Sequence, residues 1–392
     1  MKERNTVGSI QPVLKGLIIA KESSIYWFLA SMIITLFSGC QEDTETTPDN
    51  PTNSGFFGEH SSRNFAMGFS TWAYAPTLES VNDTYQFISN NADIYSEHID
   101  SNIPWNAWMN DLPLPQEFTN EIAGRAARKI PGAELTVSVS LLNSARDELA
   151  FDFDGTVPEY TALNDTEIED AYFKHLEYIT NQLNPDYLLI AIEVNELLIH
   201  APEKWEGYKL LMANVRNRIK QRFPALSISE SITLHNLYKP DVANPQEFID
   251  EIVDYANALD FVPVSFYPFF KGLKTKQEFQ EAFDFLHQKI DKPIVFAETS
   301  HLSEDLTVDS FDLFIAGNEA EQNDYLETLL TNAQAQNYQY VIWWAHRDYN
   351  ELWETFPEEV QDLGKIWISN GIMNEDGAEK RALATWEVVA DK

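Results

Sequence analysis

The chain has 392 residues, 44% of them hydrophobic, with 10 Trp, 16 Tyr and 24 Phe; that is material for a large core and too aromatic for a disordered chain. Its 62 acidic residues against 27 basic ones leave a formal net charge of −35, a surface that favours solubility and repels phosphate backbones, so no nucleic acid partner is expected. The single cysteine, Cys40, excludes an intramolecular disulfide and a zinc site built on several thiolates.

Taken in chain order, Lys2, Arg4, Lys15 and Lys21 precede an apolar run from Ile25 to Phe37 that ends in LFSGC. A basic start, an apolar segment too short to span a bilayer comfortably and small residues before the cysteine describe a signal peptide. LFSGC resembles the lipobox of bacterial lipoproteins. That resemblance implies removal of residues 1–39 and lipidation of Cys40, hence a membrane partner through a lipid anchor. The alternative is an N-terminal membrane anchor with an incidental cysteine. QEDTETTPDNPTNSGFFGEHSS follows, rich in Thr, Pro, Asn and acid, so residues 40–62 read as a solvated tether. Acidic residues directly after the cysteine resemble the surface-export signal of lipoproteins from glycan-foraging bacteria, which implies a surface-exposed outer-membrane location.

From residue 63 to 392 one domain is expected. Eight β-type runs succeed one another at 64–74, 92–99, 134–142, 187–196, 226–235, 260–269, 292–300 and 338–346. Several are near-continuous apolar runs, as parallel strands covered on both faces require. Helical patterns lie between them. EDAYFKHLEYITNQL puts Tyr172, Leu176 and Ile179 on one stripe, and WEGYKLLMANVRNRIKQRF puts Leu210, Val215 and Ile219 on another. Further helices are predicted over 244–258, 278–290, 325–335 and 358–366. The alternation predicts an α/β fold, a (β/α)₈ TIM barrel. A doubly wound open sheet is the other candidate, but no Gly-rich phosphate loop follows the first strand.

A barrel of this kind carries its site at the C-terminal ends of the strands. Those ends supply Trp72 and Tyr74, Glu97 and His98, Asn143, Asn195 and Glu196, His235, Tyr267, Glu298, and finally Trp343, Trp344 and His346. There is no G-x-S-x-G turn and no H-E-x-x-H. Retaining glycoside hydrolysis needs two facing carboxyls about 5–5.5 Å apart. Glu196 and Glu298, on the fourth and seventh of eight strands, could meet across the mouth. Sugars stack their C–H faces on aromatic rings and offer hydroxyls to polar groups.

The Asn-Glu pair ending the fourth strand, VFAETS on the seventh, SFYPF on the sixth and IWWAH on the eighth resemble the large (β/α)₈ clan of retaining glycoside hydrolases. That clan includes cellulase-like, mannanase-like and endo-galactanase-like enzymes. The tail GIMNEDGAEKRALATWEVV resembles a closing segment common there, and the likeness covers roughly residues 64–392. It implies Glu298 as nucleophile, Glu196 as acid/base and Asn195 on the sugar. Tyr267 would hydrogen-bond the nucleophile, and Trp344 or Trp343 would floor the sugar site. Trp72, His98, His235 and His346 are further candidate substrate contacts, and no cofactor or metal is expected. Nearby negative charge and partial burial are expected to keep Glu196 protonated. No Arg follows the second strand, where that clan carries one.

Bland readings stand beside these. Strict alternation turns Glu193 and Asn195 to one face and Glu196 to the other, so Glu196 needs a bulge or twist to enter the pocket. Otherwise it faces outward and caps a helix. Separately, Glu193 could be the acid instead, its more ordinary role being a buried, hydrogen-bonded support. Glu298 could serve a structural ion pair, and the histidines could be packing residues. FDFDGTV (151–157) resembles a haloacid-dehalogenase phosphatase motif, but it sits in a mid-chain loop and reads as an ordinary acidic turn. The expected function is therefore hydrolysis of a β-linked glycan. A non-catalytic glycan-binding lipoprotein on the same scaffold is the alternative.

Overall fold

A computed structural model describes residues 62–391. The signal segment 1–39, Cys40 and the tether up to residue 61 lie outside the described residues. The strands are β1 (Ala66–Ser70), β2 (Ile94–Ile99), β3 (Glu134–Val139), β4 (Tyr187–Leu189), β5 (Ser227–Ser229), β6 (Ile232–Thr233), β7 (Val262–Phe266) and β8 (Ile294–Thr299). A hairpin of β9 (Leu306–Val308) and β10 (Leu313–Ile315) precedes β11 (Tyr340–Trp343). Nine strands pair in the order β5-β4-β3-β2-β1-β11-β8-β7-β6, every pair parallel. The two ends of that order, β5 and β6, belong to one chain segment interrupted at Glu230 and Ser231. The sheet therefore closes on itself, and the fold is the expected α/β TIM barrel.

Eight helices cover the outside: α1 (Leu78–Asn91), α2 (Gln116–Ala127), α3 (Thr166–Leu183), α4 (Trp205–Arg222), α5 (Pro245–Asn257), α6 (Lys276–Lys289), α7 (Glu319–Gln336) and α8 (Arg381–Ala390). Their ends follow local chemistry. Thr275 and Glu278 form a reciprocal capping box at the start of α6. Asn184 and Asn337 end α3 and α7 at φ of 46° and 54°, a left-handed conformation that Asn tolerates better than most residues. The α3 stripe is as expected, with Tyr172, Leu176 and Ile179 buried. On α4 it is not: Leu210 is 57% exposed, and Leu211 and Met212 enter the core beside Val215 and Ile219. The 358–366 segment is helical over most of its length, as expected, but it is not a barrel helix. Glu358–Gly364 is a short helix in the loop after β11, and α8 closes the barrel instead.

Side chains fill the barrel. Ile94, Leu189, Val295, Ala297, Tyr340 and Ile342 form its inner plug, while the opposite strand faces pack on the helices. Gly68 allows β1 and β2 to approach, since a Cβ there would sit 1.8 Å from the Ile94 carbonyl oxygen. The chain's last segment is clasped by buried Lys380, whose ammonium donates to Asp348, to Ser303 Oγ at 2.7 Å and to the Gly371 carbonyl at 3.1 Å. Among the described residues no helix is long and apolar enough to cross a membrane.

Candidate active site

β8 brings Glu298 to the mouth by breaking alternation. Val295 and Ala297 face the barrel interior, so a regular strand would send residue 298 outward. Instead the register slips by one residue against both neighbours: Val264 and Ser265 face Phe296 and Glu298, and Val341 and Trp343 face Phe296 and Thr299. This bulge at Ala297 re-aims the next side chain. Glu298, buried, accepts a hydrogen bond from the Tyr267 hydroxyl at 2.6 Å on Oε1. Its Oε2 lies 3.2 Å from His98 Nδ1. Thr299 points the other way, and its hydroxyl donates to the Phe266 carbonyl at 2.5 Å.

The end of β4 is built differently. The strand stops at Leu189, Glu193 takes φ of 55°, and a short helix runs from Asn195 to His200. A left-handed Glu is strained, and it is held here by a hydrogen bond from its amide to Ser231 Oγ at 2.9 Å. Asn195 is spent on the fifth strand segment: it donates to Thr233 Oγ1 at 2.9 Å and accepts from the Thr233 amide at 2.7 Å. Glu196 lies over that same segment. Its Oε1 accepts from the Thr233 hydroxyl and from Asn236 Nδ2 at 2.8 Å, and its Oε2 is 3.5 Å from His200 Nε2.

Between the two ends stands a residue that sequence reasoning missed. Arg146, in the loop after β3, is fully buried at φ of 51°. Its guanidinium reaches Asp100 Oδ2 at 2.9 Å and Glu193 Oε2 at 3.2 Å. It places a buried cation beside Asp100, just after β2. The only signal in the sequence was a lone Arg among polar and acidic residues, in NSARDELA.

These neighbours set the charges. Burial, and then the Glu193 charge, push Glu298 well above the usual carboxylate range, against the Tyr267 hydrogen bond and Arg146. Burial pushes Glu193 up to about 7; Arg146 opposes this, and Glu196 and Asp100 add to it. Burial also acts to raise Glu196, but His200, His235 and Thr233 outweigh it and bring it down to about 2. The expectation of a protonated Glu196 is therefore corrected: its cage of donors favours the carboxylate. Burial lowers His98 and His235 to about 4, so both rings are neutral at pH 7.

The aromatic rim sorts by strand face. Trp344 lies at the mouth, its ring centroid 5.3 Å from those of Trp72 and His98. Trp343, one residue earlier, faces outward. It packs 6.0 Å from Tyr325 of α7 and donates to the Asn370 carbonyl at 2.9 Å. It is not a sugar-site floor, because neighbouring strand residues point to opposite faces. His346 is likewise removed from the site, packed 4.8 Å from Phe87 of α1 and subject to Arg347 and Asp83 rather than to the mouth carboxylates. Glu97 also points outward, to Arg125 and Tyr85. Tyr267 additionally meets Trp367 at 4.7 Å, an aromatic outside every predicted strand. His235 sits beside Phe270 at 5.4 Å and close enough to Glu196 to feel its charge. The 151–157 segment is a turn in which Asp154 accepts from the Thr156 amide at 2.9 Å and Asp152 accepts from the Asn106 amide at 2.7 Å. Among the described residues no group of three His, Cys, Asp or Glu is placed to hold a metal.

Residues 164–342, from α3 through β11, match the sequence profile of Glycosyl hydrolase family 53. The protein is a glycoside hydrolase. No curated protein sequence matches this hydrolase. Among solved structures it is similar to the GH53 catalytic domain of Ignisphaera aggregans, at 16% identity and a TM-score of 0.54, over 83% of this chain and 96% of that one. It is also similar to a GH5_18 protein of Bifidobacterium longum subsp. longum in complex with Manb1-4GlcNAc, at 13% identity and a TM-score of 0.61, over 83% and 78% of the two chains. At such identities the likeness is one of fold.

Proposed function

We propose that the hydrolase cleaves internal β-glycosidic bonds of a polysaccharide with retention, Glu298 acting as nucleophile and Glu196 as acid/base. The observation that carries this reading is Glu298 itself, turned into the barrel mouth by a bulge and held between Tyr267 and His98. In the first step Glu298 bonds to the anomeric carbon, the glycosidic bond breaks, and Glu196 gives its proton to the departing oxygen. In the second, Glu196 takes a proton from water, the water oxygen bonds to the anomeric carbon, and Glu298 leaves. The family-53 match makes β-1,4-linked galactan the first polymer to test.

The resting charges add a requirement. Burial raises Glu298 and Glu193, while the donors around Glu196 lower it. The proposed first step uses the opposite charges, Glu298 ionised and Glu196 protonated. Glu193 raises Glu298 electrostatically and is itself raised by Glu196. A second reading follows from the same residue. Burial pushes Glu193 up to about 7, and its Oε1 has no hydrogen-bond partner among the described residues; a raised carboxyl of this kind suits a general acid. Azide decides between the two readings. With an activated aryl glycoside, the variant of the true acid/base (E196Q or E193Q) is rescued as a glycosyl azide of retained configuration, and the other is not.

The function is tested by incubating wild type and E298Q with a panel of β-glycans, sizing the products and following the first-formed anomer by NMR. Retention in the wild type and loss in E298Q are expected. An inverted product, or full activity of E298Q, would contradict the mechanism. We further infer a lipid anchor at Cys40 from LFSGC. C40S should then move the protein from the membrane to the soluble fraction, and an unchanged distribution would refute the anchor.

A further inference from the structure

Between β8 and α7 the chain inserts the β9–β10 hairpin, absent from the predicted strands. Connections that leave the C-terminal ends of barrel strands lie on the active-site face, so this hairpin stands on the same rim as Glu298. Its two faces differ. Leu306 and Val308, opposite Ile315 and Leu313, are buried in the apolar cluster that contains Tyr267, Trp344 and Trp367. The other face carries the cross-strand pair Thr307 and Phe314, both exposed, with Phe314 at 63%. Phe314 is the one exposed large aromatic among the described residues.

The hairpin is also held rigidly. At its neck a Cβ on Gly317 would lie 2.6 Å from the Glu304 carbonyl oxygen, so the two strands close without room for a side chain. The Gly317 amide donates to Asp305 Oδ1 at 3.0 Å. At its tip the Ser310 amide donates to Asp362 Oδ2 at 2.7 Å, and Asp362 is in turn held by Lys365 at 2.6 Å. An isolated two-stranded hairpin is marginal in water; this one is tied to the loop after β11 at one end and to the aromatic wall beneath. Folding explains Leu306, Val308, Leu313 and Ile315. It gives no reason for a phenyl ring on the solvent face.

We propose that Phe314 is a stacking platform for a distal sugar of a polymeric glycan, several residues along the chain from the bond being cut. The proposal rests on the hydrolase reading of the site. The backbone that carries the ring is tied at the neck and the tip, which limits the ordering cost of binding there, and the opposite face of the same hairpin packs on the wall that holds Tyr267 and Trp344. Binding energy from a remote part of the substrate distinguishes long substrates from short ones.

The test compares wild type, F314A and F314W on β-1,4-galactan and on an aryl glycoside, together with retardation of the inactive E298Q form, with and without F314A, in gels containing the polymer. F314A should raise KM on the polymer about fivefold, leave kcat and the aryl glycoside unchanged, and weaken retardation, while F314W behaves as wild type. Polymer KM and retardation equal to wild type in F314A would overturn the platform alone. Absence of retardation and cleavage on every β-glycan tried would instead overturn the reading of the site. A shift of F314A to a smaller species in gel filtration, with retardation unchanged, would assign the face to a second copy of the chain and also overturn the proposal.

Discussion

β8 and β4 each deliver acidic groups to the mouth of the barrel, and they depart from strand alternation in different ways. β8 keeps its ladder and inserts Ala297, so Glu298 stays on a rigid element. Its partners come from neighbouring strands, His98 within β2 and Tyr267 just after β7. β4 abandons its ladder at Leu189 and continues through a left-handed Glu193 into a short helix. The partners there come mainly from loops and short helices: Arg146 for Glu193, Asn236 and His200 for Glu196. For Glu298 as the proposed nucleophile, the bulge within the sheet supplies a fixed position. For Glu193 and Glu196 as the proposed proton-exchanging groups, the loops supply separate environments.

The largest break in this comparison comes at β4. E196Q should lower kcat on the polymer by roughly 10²–10⁴-fold, the contribution of a positioned general acid, while a substrate with a good leaving group loses much less in the first step. E193Q should cost less and do something different. The Glu193 charge raises Glu298 and Glu298 must be ionised to attack, so removing that charge lowers the Glu298 pKa. The acidic limb of the kcat/KM profile then moves to lower pH. If E193Q instead abolishes polymer cleavage and E196Q does not, the roles of the two glutamates are exchanged.

Next is R146M, which leaves Asp100 and Glu193 buried without their cation. Removing one partner of such a group costs about 3–5 kcal/mol of stability, measurable by urea denaturation. At β8, Y267F removes a hydrogen bond that favours the Glu298 carboxylate, which is worth about 1.5–3 kcal/mol. The acidic limb should move to higher pH, opposite to E193Q, and kcat should fall. The smallest contrast is between adjacent tryptophans. W344F should raise KM for short oligosaccharides. W343F should leave KM unchanged and lower Tm slightly, because its indole serves the outer core and the Asn370 carbonyl.

These contrasts also mark what a sequence can disclose. Eight apolar runs located every strand of the barrel, because parallel strands buried on both faces need continuous apolar residues. SFYPF and VFAETS led to Tyr267 and Glu298, which do meet. What was lost is whatever depends on the departure from regularity. The Ala297 bulge leaves no trace in VFAETS, and the split of 226–235 into β5 and β6 arises from tertiary demands. Glu230 there turns outward to Tyr208 at 2.7 Å and Arg216 at 2.8 Å. Arg146 was illegible because a loop has no period and its contacts lie 46 and 47 residues away in sequence. The β9–β10 hairpin escaped because strands of three residues are too short to show alternation. Helix phase failed by one position at Leu210, where Leu210 and Leu211 fit the pattern equally well until packing chooses.

The identity of the group that bonds to the sugar is tested most directly by covalent trapping. The full-length protein is treated with an activated 2-deoxy-2-fluoro glycoside of the sugar it cleaves, digested, and the labelled peptide is sequenced by mass spectrometry. The expected result is a single glycosyl adduct on Glu298 with time-dependent loss of activity. A label on Glu193 or Glu196, or inactivation of E298Q at the wild-type rate, would contradict it.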